Sequence, residues 1–191
     1  WRPRDARRMP VEGLDRLRDA LAGGRGAILA TLHAGPWLNL VHALQARGLR
    51  VNLSGGRRLW EPPLEGHEGR WIRTQNVWVE QAGARWVRKP GSFEVVRELL
   101  RRGELCWMNW DAPGTTPAVF LDRRVTAPSG IARLALELGT PVLPALVLRR
   151  GLGQVAILGA PLTAEPGDDA ARLTARIGAA LSAELGPHRA Q

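Results

Sequence analysis

Tyrosine is absent from these 191 residues, phenylalanine occurs twice, cysteine once and lysine once, at position 89. A single cysteine excludes an internal disulfide. Cys106 lies inside the apolar run "ELCWMNW", where it reads as a core residue rather than a nucleophile. No run reaches the roughly 18 consecutive apolar residues that a membrane-spanning helix needs, so nothing in the sequence is expected to cross a bilayer. No signal-peptide pattern precedes the first element, although a start at Trp1 rather than Met leaves room for a trimmed leader. No set of His, Cys, Asp and Glu residues has metal-ligand spacing, so no metal is expected. The shortage of lysine changes how the net charge of +9 reads. Such a charge suits anionic partners, among them phospholipid headgroups, coenzyme A phosphates and an acidic carrier protein. Here, though, nearly all the excess is arginine in a chain rich in Ala, Gly and Pro. That points to coding bias, and no nucleic acid is expected as a partner.

Hydrophobic residues make up 45% of the chain and tryptophan occurs 8 times. The chain is long enough for one domain, 1–191, with a real core. Val11, Leu14, Leu17 and Leu21 have helical spacing and Gly23-Gly24 ends that stretch. "GAILATLH" reads as a buried strand, "GPWLNLVHALQARG" as a helix with Pro36 in its first turn, and "LRVNLSG" as the next strand. Residues 55–75 have no clean period, with a helix expected around 68–82. "ARWVRK" is a short strand. "GSFEVVRELLRRG" is a helix with Ser92 near its N-cap, and "ELCWMNWD" is a strand. "AVFL" and "RRVTA" form an extended pair, "SGIARLALELG" a helix, "PVLPALVLRR" and "GQVAILGAPL" two strands, and 167–185 the last helix. This alternation predicts an α/β domain with a mostly parallel central sheet flanked by helices.

In such sheets the ligand cleft lies at the carboxyl ends of the strands. Two titratable residues fall there: His33 after "GAILATL" and Asp111 after "ELCWMNW". A histidine at a strand end also has a purely structural reading, and an aspartate before Ala-Pro-Gly has an ordinary turn-forming one. Trp37, Trp107 and Trp110 flank the two in sequence and are candidate cleft walls. His42 reads as a helix-face residue, His67 lies in the irregular segment and His188 in the tail.

"GRGAILATLHAGPWLNL", "GSFEVVRELLRRGELCWMNWDAPG" and "AVFLDRRVTAPSGIARLALELGTPVLPALV" together resemble the successive blocks of the lysophospholipid acyltransferase superfamily. The likeness is to the lipid A lauroyl/myristoyl acyltransferase branch and its relatives that acylate phosphatidylinositol mannosides, and it covers about residues 24–162. It implies a glycerolipid-acyltransferase-like fold and a cytoplasmic enzyme, peripheral on the inner membrane. The implied reaction moves an acyl chain from a coenzyme A or acyl-carrier-protein thioester to a hydroxyl or amine. The thioester is a co-substrate, and no cofactor is implied. His33 matches the family's catalytic histidine. A neutral imidazole can take the proton of a hydroxyl as it attacks a thioester, and a carboxylate on the far ring nitrogen fixes the tautomer.

The family places that carboxylate in an HX4(D/E) motif, five residues after the histidine; this chain has Leu38 there. Leucine accepts neither a proton nor a hydrogen bond. Asp111 is therefore expected to reach the second nitrogen of His33, and an acid restored at position 38 is expected to relieve the loss of Asp111. Asn39 can orient a ring but not supply charge, and a helix turns it about 100° away. Asp122 stands before Arg123 where the family pattern has glycine. Arg88, Arg123 and Arg124 are candidates for holding a phosphate or a carrier's phosphopantetheine arm. Ser129 and Gly130 open a helix whose N-terminus suits an anion. Two other function classes stay open: a non-catalytic acyl-chain or carrier-protein binding module, and an anionic-membrane binding protein.

Overall fold

Each short apolar run folds as a strand and each amphipathic stretch as a helix. A computed structural model describes residues 3–55, 65–88 and 91–186. The first half runs α1 (Pro3–Arg7), β1 (Val11–Glu12), α2 (Leu14–Ala22), β2 (Ala27–Thr31), α3 (Leu38–Gln45), β3 (Val51–Gly55) and α4 (Gly66–Gln81). The second runs β4 (Arg85–Arg88), α5 (Ser92–Arg101), β5 (Leu105–Asn109), β6 (Thr116–Phe120), β7 (Arg123–Ala127), α6 (Gly130–Leu138), β8 (Val142–Arg150), β9 (Gly153–Leu158) and α7 (Ala170–Leu185). Part of the segment 55–75 and the tail histidine, His188, lie outside the described residues.

Seven strands form one sheet in the order β1-β9-β8-β2-β5-β3-β4, while β6 and β7 pair separately. Every neighbour in the large sheet is parallel except β8 with β9. The result is one α/β domain with a mostly parallel sheet between two layers of helices. The strand β2 sits between β5 and β8 and all five of its residues are buried, as expected of a strand covered on both faces. Its side chains alternate between two cores. Ile28 and Ala30 pack with Leu100 of α5, Ile131 of α6 and Ile177 of α7. Ala27 and Leu29 pack with Leu17 of α2, Leu40 and Leu44 of α3 and Val79 of α4. Burying each such leucine or isoleucine stabilises the fold by about 2 kcal/mol.

One sequence expectation is corrected. Helical spacing from Val11 predicts a helix there, but Val11 and Glu12 extend the sheet beside Ala156 and Ile157, and the helix starts at Leu14. The switch happens at Gly13, whose φ is 75° and where a Cβ would lie 2.1 Å from the Leu158 carbonyl oxygen. Only glycine fits that approach. Ser92 stands near the N-cap of α5, as expected, without capping it. The cap position is Gly91 in the left-handed region, and Ser92 is the first helical residue, 6% exposed. At the other end of the chain Asp169 does cap α7, accepting from the Arg172 N–H at 2.7 Å.

The β6–β7 register pairs Phe120 with Arg123 and leaves a two-residue turn, Leu121 (φ 48°) and Asp122 (φ 65°). Positive φ at both positions is the hairpin geometry that matches strand twist. The backbone at Asp122 is thus in the conformation that a glycine takes cheaply, and aspartate tolerates it better than most residues.

Candidate active site

The register between the central strands builds the site. Thr31 pairs with Asn109 at the carboxyl ends of β2 and β5, and the Trp110 N–H continues the ladder to the Thr31 carbonyl at 2.8 Å. His33 and Asp111 each follow two residues beyond that pair. Residues 78 apart in sequence therefore meet. His33 Nδ1 lies 2.9 Å from Asp111 Oδ1, and the His33 backbone N–H donates to Asp111 Oδ2 at 2.8 Å. One carboxylate holds both the ring and the chain that carries it.

The other ring nitrogen is also engaged. Asn109 Nδ2 lies 2.6 Å from His33 Nε2. Asn109 Oδ1 accepts from Thr31 Oγ1 at 2.6 Å and from Trp107 Nε1 at 2.8 Å. The pleat explains the grouping: Trp107 and Asn109 are two apart on β5 and share a face, and Thr31 lies opposite on the neighbouring strand. Trp37 meets the His33 ring edge to face at 5.5 Å and packs on Trp107 at 5.6 Å.

Hydrogen bonding to Asp111 raises the pKa of His33, burial works against it, and the carboxylate charge adds to the rise. For Asp111, burial opposes ionisation. The hydrogen bonds from the His33 ring and backbone, with the charge on His33, outweigh it and hold the carboxyl below its usual range. The two groups stabilise each other's charged forms. A cleft of about 770 Å³ opens beside them, with Trp37, Trp86, Phe93, Trp107, Met108 and Ile131 among its walls. Its volume suits a small-molecule ligand and its lining is mainly apolar.

Gly130, at the start of α6, also lines this cleft, and Ser129 precedes it at the helix N-cap with no side-chain cap bond. The other expected binding residues lie elsewhere. Trp110 is 2% exposed on the opposite side of the sheet. It packs on Phe120 at 5.6 Å and donates from Nε1 to the Thr174 carbonyl at 3.1 Å. A Cβ at Gly178 of α7 would lie 2.4 Å from its ring. Strand alternation explains the miss, because a neighbour of Asn109 must point the other way. Asn39 is 1% exposed within α3 and donates to Gln154 Oε1 at 2.7 Å, not to His33. It borders a second cavity of about 520 Å³ on the far side of Trp37. Arg88 is exposed at the end of β4, and Arg123 is exposed on β7; neither lines the His33 cleft. Arg124 borders a separate groove of about 960 Å³ between the hairpin and α7. Leu38 is 7% exposed in the apolar core under α3 and borders the second cavity rather than the His33 cleft.

Sequence reasoning missed Asn109 and Thr31. Their partnership is set by the register of strands distant in sequence, and the only local signal was an asparagine two residues before the aspartate.

The chain is thus an α/β protein with a paired histidine and carboxylate at the strand ends of its mostly parallel sheet, beside an apolar cleft. The family model for bacterial lipid A biosynthesis acyltransferases matches residues 3–191, and the chain belongs to that family. The family's activity is acyl transfer in bacterial lipid biosynthesis. Among the described residues no helix is long and apolar enough to cross a membrane.

Proposed function

We propose that this chain transfers an acyl group from a coenzyme A or acyl-carrier-protein thioester to a hydroxyl or amine acceptor. In this reading His33 is the general base and Asp111 does the work of the acid that Leu38 does not supply. The observation that carries the reading is the two-point hold of Asp111 on His33. The acceptor O–H gives its proton to Nε2 as the oxygen attacks the thioester carbonyl. The imidazolium formed is stabilised by Asp111 through Nδ1–H. The tetrahedral adduct collapses, the C–S bond breaks, and the proton passes from Nε2 to the departing thiolate. Only proton transfers and bond exchange are involved, so this scheme calls on no resident cofactor. The apolar cleft favours the acyl chain, since each buried CH₂ contributes about 0.8 kcal/mol. The setting we favour is the cytoplasmic face of the inner membrane, with peripheral contact. Trp71, 60% exposed on α4, supports such contact, as do the exposed Arg70 and Arg73 beside it.

A second reading, a non-catalytic acyl-chain or carrier-protein binding module, is favoured by one observation: the base nitrogen of His33 is already taken by Asn109. A third, an anionic-membrane binding protein, draws on the same face of α4. The test is release of free thiol from a long-chain acyl-CoA or acyl carrier protein, with product acylation followed by mass spectrometry. Turnover that disappears with His33→Ala supports the enzyme. Acyl binding by the wild type without turnover overturns it and supports the module. Vesicle binding that vanishes at high salt, with no thioester binding, supports the membrane protein.

A further inference from the structure

We infer that Asn109 is a positioning residue that supports the tautomer of His33 held by Asp111, disfavours protonation of Nε2 and covers that base nitrogen until an acceptor takes its place. The covering role rests on the acyl-transfer reading; the tautomer assignment does not.

The assignment follows from donor and acceptor inventory. An indole N–H only donates. The Asn109 atom facing Trp107 Nε1 at 2.8 Å must therefore be its carbonyl oxygen. Thr31 donates its hydroxyl to the same oxygen at 2.6 Å. With the oxygen pinned from two sides, the amide nitrogen is the atom 2.6 Å from His33 Nε2. An amide NH₂ also only donates, so Nε2 carries a lone pair and no proton. The ring proton then sits on Nδ1 and donates to Asp111 Oδ1. His33 rests as a neutral base in the tautomer that general-base catalysis needs.

Asp111 and Asn109 pull in opposite directions. Asp111 favours the imidazolium. Once Nε2 is protonated it faces the Asn109 NH₂ donor to donor, and Trp107 and Thr31 oppose the flip that would relieve this. Asn109 thus disfavours a lingering imidazolium and favours return of the proton. For an acceptor hydroxyl to reach the single lone pair of Nε2, the amide must yield its place. Among the described residues lining the cleft, Asp111 is the only other titratable or charged group facing the ring; Asn109, Trp107 and Trp37, the remaining neighbours, are uncharged.

The test is ¹⁵N NMR on the full chain labelled at histidine, with the His33 signals assigned by their loss in His33→Ala. On the alkaline side of its His33 midpoint the wild type should show Nδ1 protonated and Nε2 unprotonated, as one tautomer, with both nitrogens protonated on the acid side. Asn109→Ala should keep the Nδ1–H tautomer that Asp111 holds and show a His33 midpoint higher by about half to one pH unit, the worth of one hydrogen bond to the neutral form. Asn109→Asp keeps an acceptor for Trp107 and Thr31 and changes little in shape. It should raise the midpoint by about one to three units, since a second carboxylate then favours the charged ring. Its turnover should be depressed at neutral pH and recover as pH rises, with the kcat/KM profile following the NMR midpoint. A purely structural role would lower activity without moving either profile. A wild-type Nε2–H tautomer, or an Asn109→Ala variant with an unchanged midpoint, overturns the inference. The NMR readout uses no substrate. Absence of turnover in the wild type therefore counts against the acyl-transfer reading alone, and a wrong tautomer with His33-dependent turnover counts against this inference alone.

Discussion

His33 and His42 lie on either side of one helix start and differ in everything but side chain. His33 is half-exposed, with a partner on each ring nitrogen. His42 is 1% exposed in α3, its ring edge to face with Trp78 at 5.2 Å, and neither nitrogen has a well-formed hydrogen bond, the Trp78 backbone offering only a weak one. The pKa of His33 is raised by its bond to Asp111. That of His42 is lowered, first by burial and then by the nearby charge of Arg7. The pair shows that a histidine's basicity follows from its partners and its solvent, and that burial alone makes a poor base.

The comparison is broken most sharply at the site. His33→Ala should lower acyl transfer by about 10²–10⁴-fold with little change in urea midpoint, while His42→Leu should leave turnover near wild type. Equal losses in a thiol-release assay would show that the two histidines are not separable in this way. Asp111→Asn should lower turnover by about 10²-fold. It should also shift the acid limb of the kcat/KM profile to lower pH, because the bond and charge that raise the His33 pKa are gone. An unmoved profile would show that Asp111 does not set that pKa.

Leu38→Glu tests whether an acid at the family position can serve His33. Its side chain would enter the apolar core under α3, so it should cost about 2–4 kcal/mol of stability and should not restore Asp111→Asn. Rescue of turnover by the double variant would show that position 38 does reach the ring.

The smallest effect concerns His42 alone. Replacing a buried ring whose nitrogens lack well-formed hydrogen bonds by an apolar residue of similar volume should be neutral or stabilising by about 1 kcal/mol. The sign with pH also separates the two residues. The raised pKa of His33 contributes stability that is present below about pH 6.5 and lost as pH rises through its folded value. The lowered pKa of His42 contributes stability that is present above about pH 6.5 and lost as pH falls through its folded value. Urea melts of His42→Leu should therefore lose the part of the acid-side decline due to His42; an unchanged decline would place its cause elsewhere.

Much of this was legible in the chain. Alternating apolar runs and helical periods marked β2, α3, β3, β5, α6, β8 and β9, and the shared strand ends brought His33 and Asp111 to one place. What escaped were features set by neighbours remote in sequence. The strand β1 has two residues, too few to show a period, and its ladder partner is β9. Asn109 acquires its role from Thr31 and from the ring it meets. Trp110 was placed by adjacency in sequence, which within a strand puts alternate residues on opposite sides. Asn39 turned on the helix toward Gln154, as its angular offset from Leu38 required.

The central position of β2 has a consequence for how the molecule assembles. Its two partners, β5 and β8, are both distant in sequence, and the contact between His33 and Asp111 closes a loop of 78 residues. Closing so long a segment costs entropy before any contact is gained, and parallel pairing of this kind slows folding. The His33–Asp111 pair therefore forms only once β2 and β5 have paired. A molecule without that pairing has a histidine of ordinary basicity and an aspartate without its ring partner, so the appearance of the paired state, followed in time after dilution from denaturant, would serve as an internal clock for pairing of the central strands.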